Sequence, residues 1–462
     1  MTSSRKIRLA AFYQGSLKRV LGIFDLFAVG YGDLGSSIYY ALGITALFSL
    51  GATPISLALA GFVFVCTALT YAEMTSMFHE SGGSASFARH AFNNGISFIA
   101  GWGLLLDYVV TIAISAFTVG PYLAYFYTPL SHPDVQIGFS VGLIALLFLM
   151  NVIGVKESTR TSLVLTGFTL LVQMAVILIG LFTLLNIPDI VAHMRIGIAG
   201  VDFAPSWPNF MRGTVMAMVA YTGIESIAQL SAEAKRPART VPRAVLLTMG
   251  TLIIVYLGIA LVALSAVTPR ELGTTYLLNP IAGIVDHLPF GKAILAPCIA
   301  LIAGCVLTVA ANAGLVGSSR LAFNMGEYYQ LPRIFYRLHP RLGTPIISLA
   351  AFSLAAMVII GISEGKMDFL ADLYNFGAMV AFFFAHLSLI MMRIKEPHLK
   401  RSFRVPWNIS WRGAQIPVTA IIGLFAAAGV WLLVVITKPE GRYLGLAWMV
   451  CGAVIYKTTR KK

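Results

Sequence analysis

The sequence has few charged residues, few cysteines and no recognisable catalytic or nucleotide-binding motif. Only 11% of its 462 residues are charged, whereas soluble domains carry about 25%. The four cysteines lie in apolar stretches without metal-ligand spacing, so we expect them to be packing residues that give no redox information. A phosphate-binding loop and a His-Glu zinc motif are also missing. These absences argue against a soluble protein, an ATP-driven pump and an enzyme, and we expect no metal and no cofactor.

The sequence consists instead of long apolar runs. Hydrophobic residues make up 58% of the chain, and the mean hydropathy is +0.82. A run of about eighteen or more apolar residues can cross a hydrocarbon core about 30 Å thick. We therefore predict an all-α polytopic membrane protein with twelve transmembrane helices. The predicted spans lie near residues 20–49, 54–79, 95–127, 135–153, 159–186, 208–232, 243–268, 290–323, 344–362, 367–394, 415–437 and 441–458.

The basic residues of the loops predict the orientation. The formal net charge is +14, and Lys and Arg concentrate in alternate loops, which are then cytoplasmic. Both termini should be cytoplasmic in a multi-pass protein of the plasma membrane. A basic face toward anionic lipid accounts for the charge, so we expect the lipid bilayer and no nucleic acid as a partner. Residues 1–19 have no apolar core, so we expect a cytoplasmic N-terminal segment rather than a removable signal peptide.

Two predicted helices contain residues that a lipid-embedded helix normally excludes. The first has Gly32 and Gly35 around Asp33, and the sixth has Gly223 and Glu225 within VAYTGIESIAQ. Glycine costs about 1 kcal/mol in a helix interior, and a charge at mid-membrane costs about 2.5–3.5 kcal/mol. Irregular backbone at this depth survives where it lines a cavity, and matched breaks in two halves are typical of a transporter's central site. We therefore predict that helices one and six are broken and form the binding site.

Four longer stretches carry a recognisable pattern. They are Thr70–Phe92 (TYAEMTSMFHESGGSASFARHAF), Ala220–Val245 (AYTGIESIAQLSAEAKRPARTVPRAV), Gly317–Pro345 and Leu373–Pro406. In this order they resemble the amino acid–polyamine–organocation (APC) superfamily of permeases. The resemblance implies two inverted five-helix repeats, as in the sodium-coupled leucine transporter, and secondary active transport by alternating access. The implied organisation is a cytoplasmic segment at 1–19, a first repeat at 20–186, a second repeat at 208–394 and two further helices at 415–458.

The leading hypothesis is a permease that transports an amino acid together with a cation or proton. The resemblance implies that the substrate α-carboxylate meets backbone amides of helix one, while the α-amine meets backbone carbonyls of helix six. Helix one reads GDLGSSIYY where permeases usually show G-x-x-x-G-S-G-I-F, and Thr169 stands where many proton-coupled members carry a lysine. The expected substrate-binding residues are Gly32, Gly35, Ser36, Ser37, Tyr40, Thr111, Ala220, Tyr221, Thr222 and Gly223. The expected residues for the coupling H⁺ or Na⁺ are Asp33, Asp107, Ser115 and Glu225.

A second resemblance favours a different cargo. The stretch GDLGS is similar to the opening of potassium-uptake permeases of the same superfamily. Asp107, Thr111 and Ser115 follow at four-residue steps and therefore share one face of helix three. Proton-coupled potassium importers show a similar row of Asp, Thr and Ser. They also have an acid seven residues before a tyrosine in helix one, as Asp33 stands before Tyr40 here. Oxygen ligands suit a hard cation, so a proton-coupled importer with K⁺ as its substrate is the alternative hypothesis. Its expected ligands are Asp33, Asp107, Thr111, Ser115, Tyr40 and Thr222.

Three further polar residues are expected to have structural roles. Glu73 and Glu80 lie toward the cytoplasmic end of helix two, and we expect them to form a structural or gating network near Arg239 and Arg243. His386 stands among phenylalanines in helix ten. A lone histidine in such a place is expected to be a packing residue whose hydrogen bonds are satisfied.

Overall fold

The structure is a computed structural model that describes residues 19–154, 159–198, 200–201, 203–437 and 439–460. This part of the chain is helical apart from loops and one two-stranded sheet. The α-helices, α1 to α18 in chain order, are Ile23–Leu34, Ile38–Ser49, Thr53–Met77, Gly83–Ala91, Asn94–Leu123, Pro133–Ile153, Thr159–Thr183, Ile187–His193, Trp207–Ala217, Glu225–Gln229, Pro237–Ala266, Pro269–Gly273, Pro280–Asp286, Lys292–Glu327, Ile346–Ser363, Met367–Lys395, Val418–Thr437 and Pro439–Arg460. The 3₁₀ helices are Leu50–Ala52, Thr128–Ser131, Met218–Tyr221, Ser231–Glu233 and Arg333–Tyr336, and the strands β1 and β2 are Asn408–Trp411 and Ala414–Pro417.

Nine helical stretches of the described residues are long and apolar enough to cross a membrane. The first, Ile23–Met77, contains α1 to α3 and covers the first two predicted spans. The predicted span 208–232 is interrupted, and the predicted span 441–458 forms α18, which is not among the nine. The class predicted from the sequence, an all-α polytopic membrane protein, agrees with this architecture.

Helix α5 lies at the centre of the molecule. Of its most apolar part 89% is buried, against 22% for α6. Two helices approach α5 at glycines: a Cβ on Gly314 of α14 would lie 3.1 Å from the Tyr108 carbonyl oxygen, and one on Gly377 of α16 would lie 2.8 Å from the Asp107 amide nitrogen. Small residues allow such close helix packing in membranes. These contacts place Asp107 where three helices meet.

The segment before α1 is attached to the segment that follows α10. The Leu21 amide donates to the Glu233 carbonyl at 3.1 Å, and the Lys235 amide donates to the Leu21 carbonyl at 2.7 Å. One end of the first predicted span is therefore fixed beside one end of the sixth.

Candidate functional site

The interruption in helix one is a tight turn at residues 35–37, between α1 and α2. The Gly35 amide donates to the Tyr31 carbonyl at 2.6 Å, and the Ser37 amide donates to the Leu34 carbonyl at 3.0 Å. Gly35 has φ −66° and ψ −17°, so the backbone remains right-handed. A Cβ at Gly35 would lie 2.7 Å from the Tyr31 ring, which is why the position requires glycine. Two of the amides expected to hold a substrate carboxylate are therefore occupied in this conformation.

The polar side chains around this turn are buried and paired. Ser36 Oγ donates to the Asp33 carbonyl oxygen at 2.6 Å, and Ser37 Oγ lies 3.0 Å from the Tyr40 hydroxyl group. All four side chains are buried. Gly32 lines a cavity beside Asp33. The expected residues of helix one therefore form one compact polar group.

The interruption in helix six is a real unwinding of the backbone. Helix α9 ends at Ala217, a 3₁₀ turn covers Met218–Tyr221, and Thr222 is extended. Gly223 has φ +113°, a conformation that glycine adopts readily and other residues rarely. A Cβ at Gly223 would lie 3.0 Å from Asp33 Oδ2. The unwound segment of helix six therefore runs directly against the Asp33 carboxyl group.

The other predicted residues of helix six have side chains engaged locally. Thr222 Oγ1 donates to the Val219 carbonyl at 3.1 Å. The Tyr221 hydroxyl donates to the Leu57 carbonyl of α3 at 3.0 Å, and Ala220 is fully buried. This segment therefore offers its backbone, more than its side chains, to a bound molecule.

The predicted polar ladder of helix three lies on α5 and faces α16. Thr111 Oγ1 lies 2.9 Å from the Asp107 carbonyl oxygen and 2.9 Å from the Tyr374 hydroxyl group. Ser115 is buried and lies beside Tyr40 of helix one. Within the described residues, Asp107 Oδ1 is buried and has no hydrogen-bond partner. A carboxylate oxygen in this state is available to a ligand.

Three buried carboxyl groups share this region. Asp33 interacts electrostatically with Glu225, and Asp107 interacts with both. The Tyr71 hydroxyl donates to Glu225 Oε1 at 3.0 Å. The ion pairs found among the described residues include none of the three carboxyl groups. Because ionised carboxylates in a low-dielectric interior require a counter-charge or a proton, this arrangement is suited to binding a cation or protons.

A small cavity lies beside Asp33, between α1, α7 and α14. Its volume is about 40 Å³, which is enough space for a water molecule. Ser162, Thr166 and Thr169 of α7 line it, and no lysine or arginine is among the lining residues. Thr169 and Asp33 thus line the same cavity.

Sequence reasoning missed two residues that support the site. Gln173 Oε1 accepts a hydrogen bond from the Tyr31 hydroxyl group at 2.6 Å, which joins α7 to α1. Tyr71 of α3 binds Glu225 as described above. Gln173 could have been found, because it is the one polar side chain in the apolar stretch 170–182. Tyr71 gave no such signal, since its ring resembles any other aromatic core residue.

The predicted association of Glu73 with Arg239 and Arg243 is wrong. Glu73 is fully buried and forms a two-pronged ion pair with Arg393 of α16, in which both nitrogen–oxygen distances are 2.6 Å. Arg401 Nε lies 3.1 Å from Glu73 Oε1. The network therefore joins α3 to α16 and to the loop after it, not to the start of α11.

The other two singled-out residues also have structural partners. Glu80 pairs with Arg89 at 2.5 Å and with His90, so its predicted partners were wrong as well. The ring nitrogens of His386 lie 2.9 and 3.2 Å from two threonine hydroxyl groups of α3. His386 is fully buried, and it is a satisfied packing residue as predicted.

Comparisons with known proteins agree with this architecture. A sequence model of the family described as "Amino acid permease" matches residues 21–455. The chain is 28% identical to the methylthioribose transporter of Bacillus subtilis (strain 168), over 96% of this chain and 93% of the relative. It is 26% identical to the branched-chain amino acid permease BcaP of the same organism, over 96% and 93%. With BcaP of Lactococcus lactis it shares 27% identity over 95% of this chain and 94% of that protein.

Proposed function

The chain belongs to the amino acid permease family, and we propose that it is a secondary active transporter of amino acids coupled to a cation or proton. It is a multi-pass membrane protein and a transporter rather than an enzyme. In our proposal twelve helices cross the plasma membrane, with both termini in the cytoplasm. Two inverted repeats, 20–186 and 208–394, move against each other so that a central site faces each side in turn.

One observation carries the proposal. The two interrupted helices meet where Gly223 is packed against the Asp33 carboxyl group, and Asp107 and Glu225 lie within electrostatic range. Three buried acids without an ion-pair partner in the described structure are poorly stable when ionised. A proton or Na⁺ taken up from solution neutralises part of this charge, and its arrival or departure changes the balance between the two conformations.

The amino acid itself binds next to the coupling site. Its α-amine meets the carbonyls of the unwound segment Ala220–Gly223, and its α-carboxylate meets the helix-one turn. Because the Gly35 and Ser37 amides donate to backbone carbonyls in this conformation, the turn must open before both can receive a carboxylate. Relatives named as transporters of branched-chain amino acids and methylthioribose support a small organic substrate.

A second candidate is a proton-coupled importer of K⁺. The observation that favours it is the composition of the site: carboxyl and hydroxyl groups lie near Asp33 and Asp107, and no basic side chain pairs with either acid among the described residues. Tyr40, Thr111 and Ser115 supply the hydroxyl groups. In this candidate the cation is the cargo and no organic substrate is required.

Uptake into proteoliposomes separates the two candidates. Labelled amino acids and radioactive rubidium, a potassium substitute, are offered to the wild type and to Asp33→Asn under an imposed ion or proton gradient. For an amino-acid permease, Asp33→Asn should abolish gradient-driven accumulation while exchange of bound amino acid persists. For a potassium importer, the wild type should take up rubidium alone and the variant should bind it weakly.

The matched control is Asp25→Asn, which makes the same change near the start of α1. Asp25 accepts a hydrogen bond from the Gly22 amide at 2.7 Å, and it precedes Asp33 by about two turns of α1. It should transport like the wild type. Unchanged accumulation with unchanged ion and pH dependence in Asp33→Asn would contradict both candidates and leave Asp33 a structural group.

A further inference from the structure

The hairpin β1–β2 has one apolar face and one polar face. Its strands pair Ile409 with Ile416, Ser410 with Gln415, and Trp411 with Ala414. Paired residues of antiparallel strands lie on the same face, and successive residues alternate between faces. One face therefore carries Ile409, Trp411, Ala414 and Ile416. The opposite face is polar, and there Gln415 donates to Ser410 Oγ at 2.7 Å.

Within the described residues, only half of the apolar face is covered. Ala414 and Ile416 of β2 are 4% and 7% exposed, whereas Ile409 and Trp411 of β1 are 53% and 48% exposed. Trp407, just before β1, is 72% exposed. The described structure leaves two tryptophans and an isoleucine about half exposed or more. A concentration of large apolar side chains at one place indicates a surface that contacts something apolar.

The hairpin lies at the boundary of the membrane region. Strand β2 leads without a break into the membrane helix α17 at Val418, and the Val418 amide donates to the Trp407 carbonyl at 2.9 Å. The apolar face is therefore held at the level where a membrane helix begins. Tryptophan is enriched at this level, because its ring favours the boundary between hydrocarbon and water.

Positive charges border the same face. Arg412 forms the two-residue turn together with Gly413, both with positive φ. Its guanidinium group lies 4.9 Å from the centre of the Trp411 ring. Arg404, which precedes the hairpin, is exposed, as is Lys400. A cation next to an interfacial tryptophan is placed where the phosphates of lipid head groups lie.

We propose that the hairpin, from Trp407 to Pro417, is a binding site for anionic phospholipid in the membrane leaflet next to it. Trp407, Ile409 and Trp411 enter the head-group boundary, and Arg404 and Arg412 bind lipid phosphate. Each basic residue near an anionic surface contributes binding that corresponds to about a fivefold change in affinity. The inference requires that the chain is a membrane protein, but it does not depend on the substrate or on the direction of transport.

Two adjacent positions provide the test, because Ile409 and Ser410 point to opposite faces. In a variant whose four native cysteines are replaced, Ile409→Cys and Ser410→Cys carry the same fluorescent label. The full chain is placed in lipid nanodiscs of phosphatidylcholine with or without phosphatidylglycerol. The label at 409 should be quenched by spin-labelled lipid and protected from iodide, and the label at 410 should behave in the opposite way.

The charge contribution is tested with Arg404→Gln and Arg412→Gln. Each substitution should weaken, about fivefold, the effect of phosphatidylglycerol on the lipid quenching of the label at position 409. Arg442→Gln is the matched control, since Arg442 also stacks on a neighbouring aromatic ring, at 4.8 Å from the centre of Tyr443, but lies outside the hairpin. It should leave the dependence unchanged.

Three results would overturn the proposal. Equal access of iodide to positions 409 and 410 would show that the face is exposed to water. Protection of position 409 without quenching by lipid would show that it is covered by protein. The third result is lipid quenching at position 409 that is the same with and without phosphatidylglycerol and in both arginine variants. It would show that the hairpin is a membrane anchor without a binding site for anionic lipid.

Discussion

Replacement of Glu73 by glutamine should strongly destabilise the protein. The Glu73 carboxylate accepts two hydrogen bonds from Arg393, at 2.6 Å each, and one from the Val405 amide at 2.8 Å. Arg401 Nε adds a third charged contact at 3.1 Å. The side chains of Glu73 and Arg393 are 0% and 1% exposed. Glu73→Gln keeps the shape of the side chain but leaves the buried arginine without its counter-charge.

The expected loss follows from this burial. Breaking a buried ion pair by removing one partner costs about 3–5 kcal/mol, because the remaining charge cannot be hydrated. The free energy of unfolding of the purified protein, measured by denaturant titration in micelles, should fall by about this amount. Glu73→Met with Arg393→Met should recover only part of it, since the apolar pair removes the unpaired Arg393 charge but leaves Arg401 without its contact to Glu73.

A partly exposed ion pair on the same protein is the control. Glu233 and Arg320 lie 3.2 Å apart, with side chains 21% and 35% exposed. Glu233→Gln should cost less than about 1 kcal/mol, as exposed pairs do. A Glu73→Gln variant that loses no more than this would refute the reasoning, because it would show that water reaches the Arg393 guanidinium group.

Two further predictions concern the site and the pH dependence of stability. Gly223→Ala introduces a side chain at φ +113° and 3.0 Å from the Asp33 carboxylate. The resulting strain of about 1–3 kcal/mol should reduce uptake sharply, although the variant should still elute as a folded protein in size-exclusion chromatography. Normal uptake by this variant would contradict the proposed site. Partial burial raises the pKa of Glu80, but the hydrogen bond from His90 and the charges of Arg89 and His90 outweigh it and lower this pKa to about 2. Because a depressed pKa adds stability above the unfolded value of about 4.3, wild-type stability should decline as the pH falls from there toward about 2. The thermal unfolding temperature of Glu80→Gln should therefore fall less than that of the wild type as the pH is lowered. An equal fall in both proteins would contradict the ion pair.

The sequence by itself determined the class of the protein and the place of its irregularities. Apolar runs too long for soluble helices can only be stable in a bilayer. Asp33 and Glu225 stand out because acids and glycines are costly within such runs. The interruptions lie next to these residues, at 35–37 and 218–224. These are local properties, in which a residue is compared with its neighbours along the chain.

The sequence did not distinguish the two interruptions from each other. Both contain glycine and an acid, yet residues 35–37 keep a right-handed, hydrogen-bonded turn, whereas Gly223 leaves the helix with φ +113°. Whether a glycine uses its freedom depends on the surrounding packing. At Gly223 the Asp33 carboxyl group occupies the space where a side chain would lie, and this neighbour comes from a distant part of the chain.

The tertiary structure also decided the charge pairing of Glu73. Glu73 could have met any of many cytoplasmic arginines, and the sequence argument selected Arg239 and Arg243. The packing of α3 against α16 selected Arg393 instead. A salt bridge requires a particular distance and orientation between two side chains, and only the arrangement of helices fixes these. Composition and order along the chain therefore define which residues need partners, and three-dimensional packing defines which partners they receive.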